Sequence, residues 1–279
     1  MLSIVTNVQS LNAQRNLSST TNALSGNFQK LSSGLRINRA GDDAAGLAIS
    51  ESLQAQVRSL GQAERNAGDG ISMLQTAEGA MNEVSGILGR MRELAVQAST
   101  DTIDNTQRGF LDQEFQALEA EIDRIASVTE FNGTTLLNGT ATGINFQVGI
   151  NASSNDRISI DFADVRSTAL GGSGSGATIS AQVLTSQSGA QSAIAVLDSA
   201  ISDVVSARST IGATENRLQV TTSNLASARE NLAAANSRIR DVDVAEETAA
   251  LTRNNILQQA GVSVLAQANQ APSLALSLL

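Results

Sequence analysis

The chain has 279 residues, a net charge of −9, no His, no Cys, no Trp, no Tyr and one Pro. Without Cys there is no disulfide framework, thiolate metal site or Cys nucleophile, and without His the commonest general base and metal ligand are missing. All but one of the 18 basic residues are Arg (Lys30 is the exception) and none forms a basic run, so nucleic acid is not an expected partner.

Residues 1–20 lack the basic start and continuous apolar segment of a cleavable signal peptide. No stretch reaches the ~18 consecutive apolar residues of a membrane span, so membrane insertion is not expected. With aromatics at 2%, packing falls to Ala, Leu, Ile and Val. Such side chains suit thin helix–helix seams.

From the N-terminus, residues 1–35 carry a helical apolar stripe: Ile4, Val8, Leu11, then Leu17, Leu24, Phe28, Leu31 and Leu35. The stripe changes phase between Leu11 and Leu17. The next helix has a strict row at spacing seven, Leu53, Leu60, Ala67, Leu74, Met81, Leu88 and Ala95. A second row holds Ala63, Gly70, Ala77, Val84, Met91 and Ala98, giving a heptad seam. A shorter helix follows, marked by Leu111, Phe115, Leu118, Ile122 and Ile125.

The middle of the chain changes period. Asn132-Gly133 and Asn138-Gly139 are hairpin-type turn signals. Alternating Ile144, Phe146, Val148, Ile150 and Ile158, Ile160, Phe162 predict strands. Residues 171–176, Gly-Gly-Ser-Gly-Ser-Gly, predict a flexible tip.

A second seam runs through Leu197, Val204, Ile211, Leu218, Leu225, Leu232 and Ile239. It matches the first in length, so two rods of about 65 Å can lie side by side. Residues 242–271 carry a last stripe, with Leu257, Ala260, Val264, Ala268 and Ala271. Both terminal stripes are backed by Asn, Gln, Ser and Thr, a face suited to burial among neighbours. Burying a Leu or Val contributes ~1.5–3 kcal/mol, against ~1–2 kcal/mol for ordering each residue. A lone pair of terminal helices therefore roughly breaks even and is expected to order when other subunits cover it.

The predicted fold is mainly α: a long antiparallel helical bundle or coiled coil with a small β-hairpin region mid-chain. Residues 1–42 and 238–279 are expected to form an inner terminal coiled coil. Residues 43–237 are expected to form an outer rod domain, with its β region at about 131–187.

Residues 37–50, Ile-Asn-Arg-Ala-Gly-Asp-Asp-Ala-Ala-Gly-Leu-Ala-Ile-Ser, resemble the bacterial flagellins. So do Arg92-Glu93-Leu94-Ala95-Val96-Gln97, Glu130-Phe131-Asn132-Gly133, Ile256-Leu257-Gln258-Gln259-Ala260-Gly261 and Val264-Leu265-Ala266-Gln267-Ala268-Asn269. The motifs are long and co-linear. They cover nearly everything outside the sheet and tip, and the short middle resembles a minimal member without outer domains.

The resemblance implies a secreted, extracellular structural subunit of the flagellar filament that is not an enzyme and needs no cofactor or metal. It implies export in unfolded form by the flagellar type III machinery and self-assembly into a helical tube for swimming motility. The implied partners are other copies of the chain, an export chaperone on the C-terminal segment, the export apparatus, the hook–filament junction and cap proteins, and a flagellin-sensing Toll-like receptor. Ile4, Val8, Leu11, Leu24, Phe28, Leu31, Leu257, Val264 and Ala268 become the expected inner-core subunit interface. By the same resemblance Arg90, Leu94 and Glu114 form an axial interface and receptor surface.

Asp42 and Asp43 stand where a spoke joins the terminal stripe to the rod, placed to cap the next helix with a carboxylate. The alternative is a plain solvated turn. Flagellins often carry O-linked sugars, and Thr140, Thr142, Ser153 and Ser154 are candidates by location. The ending at Leu278-Leu279 departs from a common Leu-Leu-Arg ending. Two other exported proteins stay open as alternatives, a hook–filament junction protein and a secretion-system needle-tip or translocator protein.

Overall fold

A computed structural model describes residues 6–172 and 176–276, with side chains through 270. Among these residues the fold is mainly α, with five helices: α1 (Val8–Ser33), α2 (Ala44–Ala98), α3 (Asn105–Val128), α4 (Gln187–Arg240) and α5 (Val244–Leu276). Four short strands, β1 (Glu130–Phe131), β2 (Thr134–Thr135), β3 (Ile144–Gln147) and β4 (Arg157–Ile160), form two antiparallel two-stranded sheets. The chain divides into two compact units, residues 58–229 and the paired ends 1–57 with 230–279. Both boundaries fall inside α2 and α4, whereas the expected partition lay at 42/43 and 237/238.

The 58–229 unit is organised by the heptad rows. Leu60, Ala67, Leu74, Met81, Leu88 and Ala95 are buried along α2, and so is the second row from Ala63 to Ala98. From α4, Leu197, Val204, Ile211, Leu218 and Leu225 join them, and α3 adds Phe115 and Ile122. Polar pairs along the rim fix the direction of packing. Arg92–Asp198, Arg208–Glu78, Gln75–Glu215 and Arg229–Glu64 climb α4 as they descend α2, so these helices are antiparallel.

Gly70 stands in the second row for a steric reason. A Cβ there would meet the Phe146 ring at 3.0 Å and Leu218 Cδ1 at 3.2 Å. The missing side chain lets the β3–β4 hairpin lie close to α2, where Asn66 donates to the Gln147 carbonyl at 3.1 Å. In that hairpin Ile158 and Ile160 face the core, and Val148 and Phe162 are buried just beyond the strand ends. Ile150 does not follow the alternation. It lies past β3 and is exposed, because pairing stops at Gln147.

Of the two Asn-Gly turns, only Asn132-Gly133 joins paired strands, with Asn132 at φ 51° and Gly133 at φ 78°. Asn138-Gly139 is a different device. Asn138 Oδ1 accepts from the Thr140 N–H at 3.1 Å, a side-chain turn that redirects the chain without pairing its arms. Of the expected flexible tip, residues 173–175 lie outside the described residues. Gly171 is anchored, its N–H donating to Asp203 Oδ2 at 3.2 Å.

The ends of α2 and α3 are tied by polar side chains. Arg108 is buried and donates to the carbonyls of Ala98 (2.9 Å) and Thr100 (2.7 Å), satisfying acceptors that a helix C-terminus leaves free. Asp104 and Gln107 form a reciprocal capping box at the start of α3. One face of α3 carries carboxylates that hold the 162–184 segment. Asp123 accepts from the Ser167 N–H and hydroxyl, and Asp112 accepts from the Leu184 N–H. Between them, burial pushes the Glu119 carboxyl above its ordinary value; the Ser167 hydroxyl opposes the rise, while Asp123 and Asp112 add to it.

A raised folded-state value means that ionising Glu119 opposes folding. The penalty is absent below the ordinary value of 4.5 and develops as pH climbs above it. Glu119→Gln is therefore expected to raise Tm by about 1–2 °C near neutral pH and to leave it unchanged in acid. Paired thermal unfolding curves across pH check this, and an equal gain at every pH would contradict it. In the heptad core, Met81→Ala is expected to cost about 2–5 kcal/mol in denaturant unfolding.

Candidate subunit interface

The paired ends are held by α1 and α5. Asn7 caps α1 by accepting from the Ser10 N–H, and Gly34 at φ 71° ends it. Leu24 and Asn27 are buried, Leu31 is half-buried, and Leu17 lies against Gly261. The middle of the seam is polar. Asn27 Nδ2 donates to Glu247 Oε1 at 2.5 Å, Asn254 Nδ2 donates to Asn27 Oδ1 at 2.8 Å, and Lys30 Nζ stands 3.8 Å from Glu247. At the far end Asn7 Nδ2 donates to the Ala268 carbonyl at 2.7 Å. The contacts Asn7–Ala268 and Asn27–Glu247 make the pair antiparallel.

The expected inner-core residues fall into two groups. Leu24, Leu31 and Ala268 are at least partly covered within the chain. Val8, Leu11, Phe28, Leu257 and Val264 face away from the seam, each 50–58% exposed. Ile256 and Val262 are exposed beside them. The phase change between Leu11 and Leu17 lies within one continuous helix: Val8 and Leu11 are exposed, Leu17, Leu24 and Leu31 are at least partly covered, and Phe28 is again exposed. Ile4 lies outside the described residues.

The link between α1 and α2 is built from Asp42 and Asp43. Asp42 Oδ2 accepts from the Asn38 N–H (3.0 Å) and the Arg39 N–H (2.9 Å). These bonds, Arg39's first, hold its carboxyl below the ordinary carboxylate value. Asp43 Oδ1 accepts from the Gly46 N–H at 2.8 Å, at the N-terminus of α2. Gly46 leaves room for this cap, since a Cβ would push on the Asp43 carboxylate and on Ile37 Cδ1 at 2.8 Å. The sequence reading did not foresee the return strand. Arg36 N–H donates to the Arg240 carbonyl at 2.6 Å, and Val242 N–H to the Gly34 carbonyl at 3.1 Å, so the two chain crossings bridge each other.

In the other unit, Arg90 binds Glu114 at 2.8 Å and Glu93 at 3.0 Å. Glu114, then Glu93, hold the exposed guanidinium still more firmly charged. Exposed pairs of this kind contribute little to stability. Leu94 departs from the expected surface. It is 1% exposed and part of the core, because its helical phase sets it beside Met91 and Ala95 on the inner stripe. The surface reduces to Arg90 and Glu114, with Leu94 packed inside. Thr140, Thr142, Ser153 and Ser154 are all exposed. The Thr140 hydroxyl donates to Asn138, and the Ser153 hydroxyl accepts from the Asn155 N–H.

No group of carboxylates able to hold a metal occurs among the described residues, and no described helix is long and apolar enough to cross a membrane. What the ends present is an apolar face left uncovered on a helix pair whose other face is already seamed. Exposed apolar side chains of this kind are the feature of a structural subunit. The sequence profile of the bacterial flagellin N-terminal helical region matches residues 4–142, and that of the C-terminal helical region matches 194–279. The chain is 50% identical to a flagellin of Halalkalibacterium halodurans over 273 residues, 98% of each chain. It is 46% identical to a flagellin of Bacillus subtilis over 300 residues, again 98% of each. The crystal structure of Bacillus cereus flagellin superposes with a TM-score of 0.50 at 35% identity, covering 62% of this chain and 94% of that one. The chain belongs to the bacterial flagellins. It is a filament subunit of the bacterial flagellum, a structural protein and not an enzyme.

Removing the Asp43 cap tests the local geometry. Asp43→Ala is expected to cost about 1 kcal/mol and to speed amide exchange at Gly46 about fivefold. Exchange within the 58–229 core should be unaffected.

Proposed function

We propose that polymerisation is carried by the open face of the terminal pair, through Val8, Leu11, Phe28, Leu257 and Val264, with Ile4 extending the stripe. The supporting observation is the exposure of these five side chains on helices that already have a partner. A helical filament needs heterologous contacts that do not close on themselves, and an apolar face at the ends of every copy supplies them. In this reading residues 1–42 and 238–279 supply the inner coiled coil of the tube, and 43–237 the rod.

The chain is secreted, delivered unfolded by the flagellar export route to the growing tip. The absence of Cys and the 2% aromatic content suit threading and refolding without disulfide chemistry. The C-terminal segment, apolar until covered, is the part a chaperone would hold before export. Junction and cap proteins would meet the same face at the two ends of the filament. Arg90 and Glu114 are the exposed residues offered to axial neighbours and to the Toll-like receptor. Thr140, Thr142, Ser153 and Ser154 remain candidates for O-linked sugar because each is exposed.

Val264→Asp or Leu257→Asp would set a charge in the proposed contact without touching the α1–α5 seam. Electron microscopy of seeded monomer should show no filaments from either variant, with thermal unfolding of the 58–229 unit unchanged. Normal filaments from both would remove these residues from the interface. For the receptor, Arg90→Ala with Glu114→Ala should weaken the response of a reporter cell to purified monomer. A reporter silent to the unaltered monomer would overturn that assignment.

A further inference from the structure

The chain contains two Asn-Gly dipeptides, and the fold treats them oppositely. Asn132 and Gly133 are exposed at the tip of the β1–β2 hairpin, which has only two paired positions. Among the described residues the Asn132 side chain has no hydrogen-bond partner. Asn138 is half-buried and held on both sides of its amide: Nδ2 donates to Thr135 Oγ1 at 2.9 Å, and Oδ1 accepts from Thr140 N–H at 3.1 Å and Thr140 Oγ1 at 2.6 Å. Leu136 and Leu137 before it are fully buried, and Val165 N–H donates to the Leu137 carbonyl.

We propose that Asn132 is a self-modifying site, converted to aspartate and isoaspartate by its own backbone neighbour, while the fold holds Asn138 unreactive. The Gly133 nitrogen gives up its proton to hydroxide and attacks Asn132 Cγ. The Cγ–Nδ2 bond breaks, and Nδ2 takes a proton from water and leaves as ammonia. A five-membered succinimide remains. Water adds to one of its two carbonyls, giving aspartate by one opening and isoaspartate by the other. The balance is one water consumed and one ammonia released, with no oxidant or second substrate. Glycine is the favourable neighbour because no Cβ obstructs the approach of its nitrogen.

Closure needs rotation about the Cα–C and Cα–Cβ bonds of Asn132 to bring Gly133 N onto Cγ, and among the described residues no side-chain hydrogen bond opposes that rotation at this exposed turn. The motion is confined to the exposed tip of a hairpin with two paired positions, so it is a small local fluctuation that leaves the buried Leu136 in place. At Asn138 the same motion must break the bonds to Thr135 and Thr140 and strain a segment anchored by two buried leucines. Conversion at Asn132 has a structural result. It adds a negative charge at an exposed tip, and isoaspartate lengthens the main chain inside a turn whose two arms are in register. The isoaspartate product cannot keep that register, and the accumulated products give each subunit a record of its age.

The test is peptide mapping by mass spectrometry after the folded full-length chain has stood in warm, mildly alkaline heavy-oxygen water. Conversion at Asn132, with both aspartate and isoaspartate products, is expected to outrun Asn138 by at least about tenfold, since the need to break even one of the holding bonds before reaction slows Asn138 by roughly that factor. In urea the two rates should converge. Equal rates in the folded chain, or a folded ratio no larger than the ratio in urea, would overturn the proposal. The holding bonds are tested separately by Thr135→Val with Thr140→Val, which should raise the rate at Asn138 in the folded chain. No rise there would show that the lock is not the cause. Asn132→Gln serves as the blank for the first site.

Discussion

Small apolar side chains at a spacing of seven on α2 and α4 are the constraint on which the 58–229 unit depends. A heptad row keeps one helix face turned to a partner over many turns. In this chain the partner face is the α4 row running the other way. The rows are thin, with Ala and Gly at several positions, so they do not complete the core by themselves. α3 and the two hairpins fill it with Phe115, Ile122, Phe162 and the buried isoleucines. Gly70 shows how closely the hairpin is seated, since a single added carbon would press on the Phe146 ring and Leu218.

Long helices leave a second problem at their ends, where backbone donors and acceptors have no helical partner. The chain meets it with side chains placed for each end. Asp43 serves the start of α2, Arg108 its finish, and Asp104 with Gln107 the start of α3. These residues also set the angle at which one element leaves the next. The link at residues 34–43 is held from both sides, by the carboxylates of Asp42 and Asp43 and by the return crossing at Arg240 to Val242.

The α1–α5 pair divides its labour differently. Its covered seam is partly polar, with Asn27 buried between Glu247 and Asn254, while several of its larger apolar residues face outward. A buried amide in a helical seam costs stability and fixes register and direction, because only one alignment satisfies it. Polar groups therefore align the two ends of the chain, and several apolar groups are left exposed.

The period of the sequence determined the helices by itself. Spacing seven from Leu60 to Ala95 and from Leu197 to Leu225 admits one face and one kind of partner, and the Asn132-Gly133 turn is specified by backbone conformation alone. The chemistry excluded by the absence of His and Cys was also legible, as were the landmark segments shared with flagellins. Tertiary structure decided what period cannot express. Helical phase near Arg90 was readable, yet only packing against α3 and α4 showed that Leu94 belongs to the core. Asn138-Gly139 reads like a hairpin signal, but a hairpin needs two arms that pair, and the tertiary bonds of Leu137 and Ala141 to Val165 and Phe162 claim those arms first. The division of the terminal stripe into seam and open face was likewise hidden, because a one-dimensional pattern says which residues avoid water and not which neighbour will cover them.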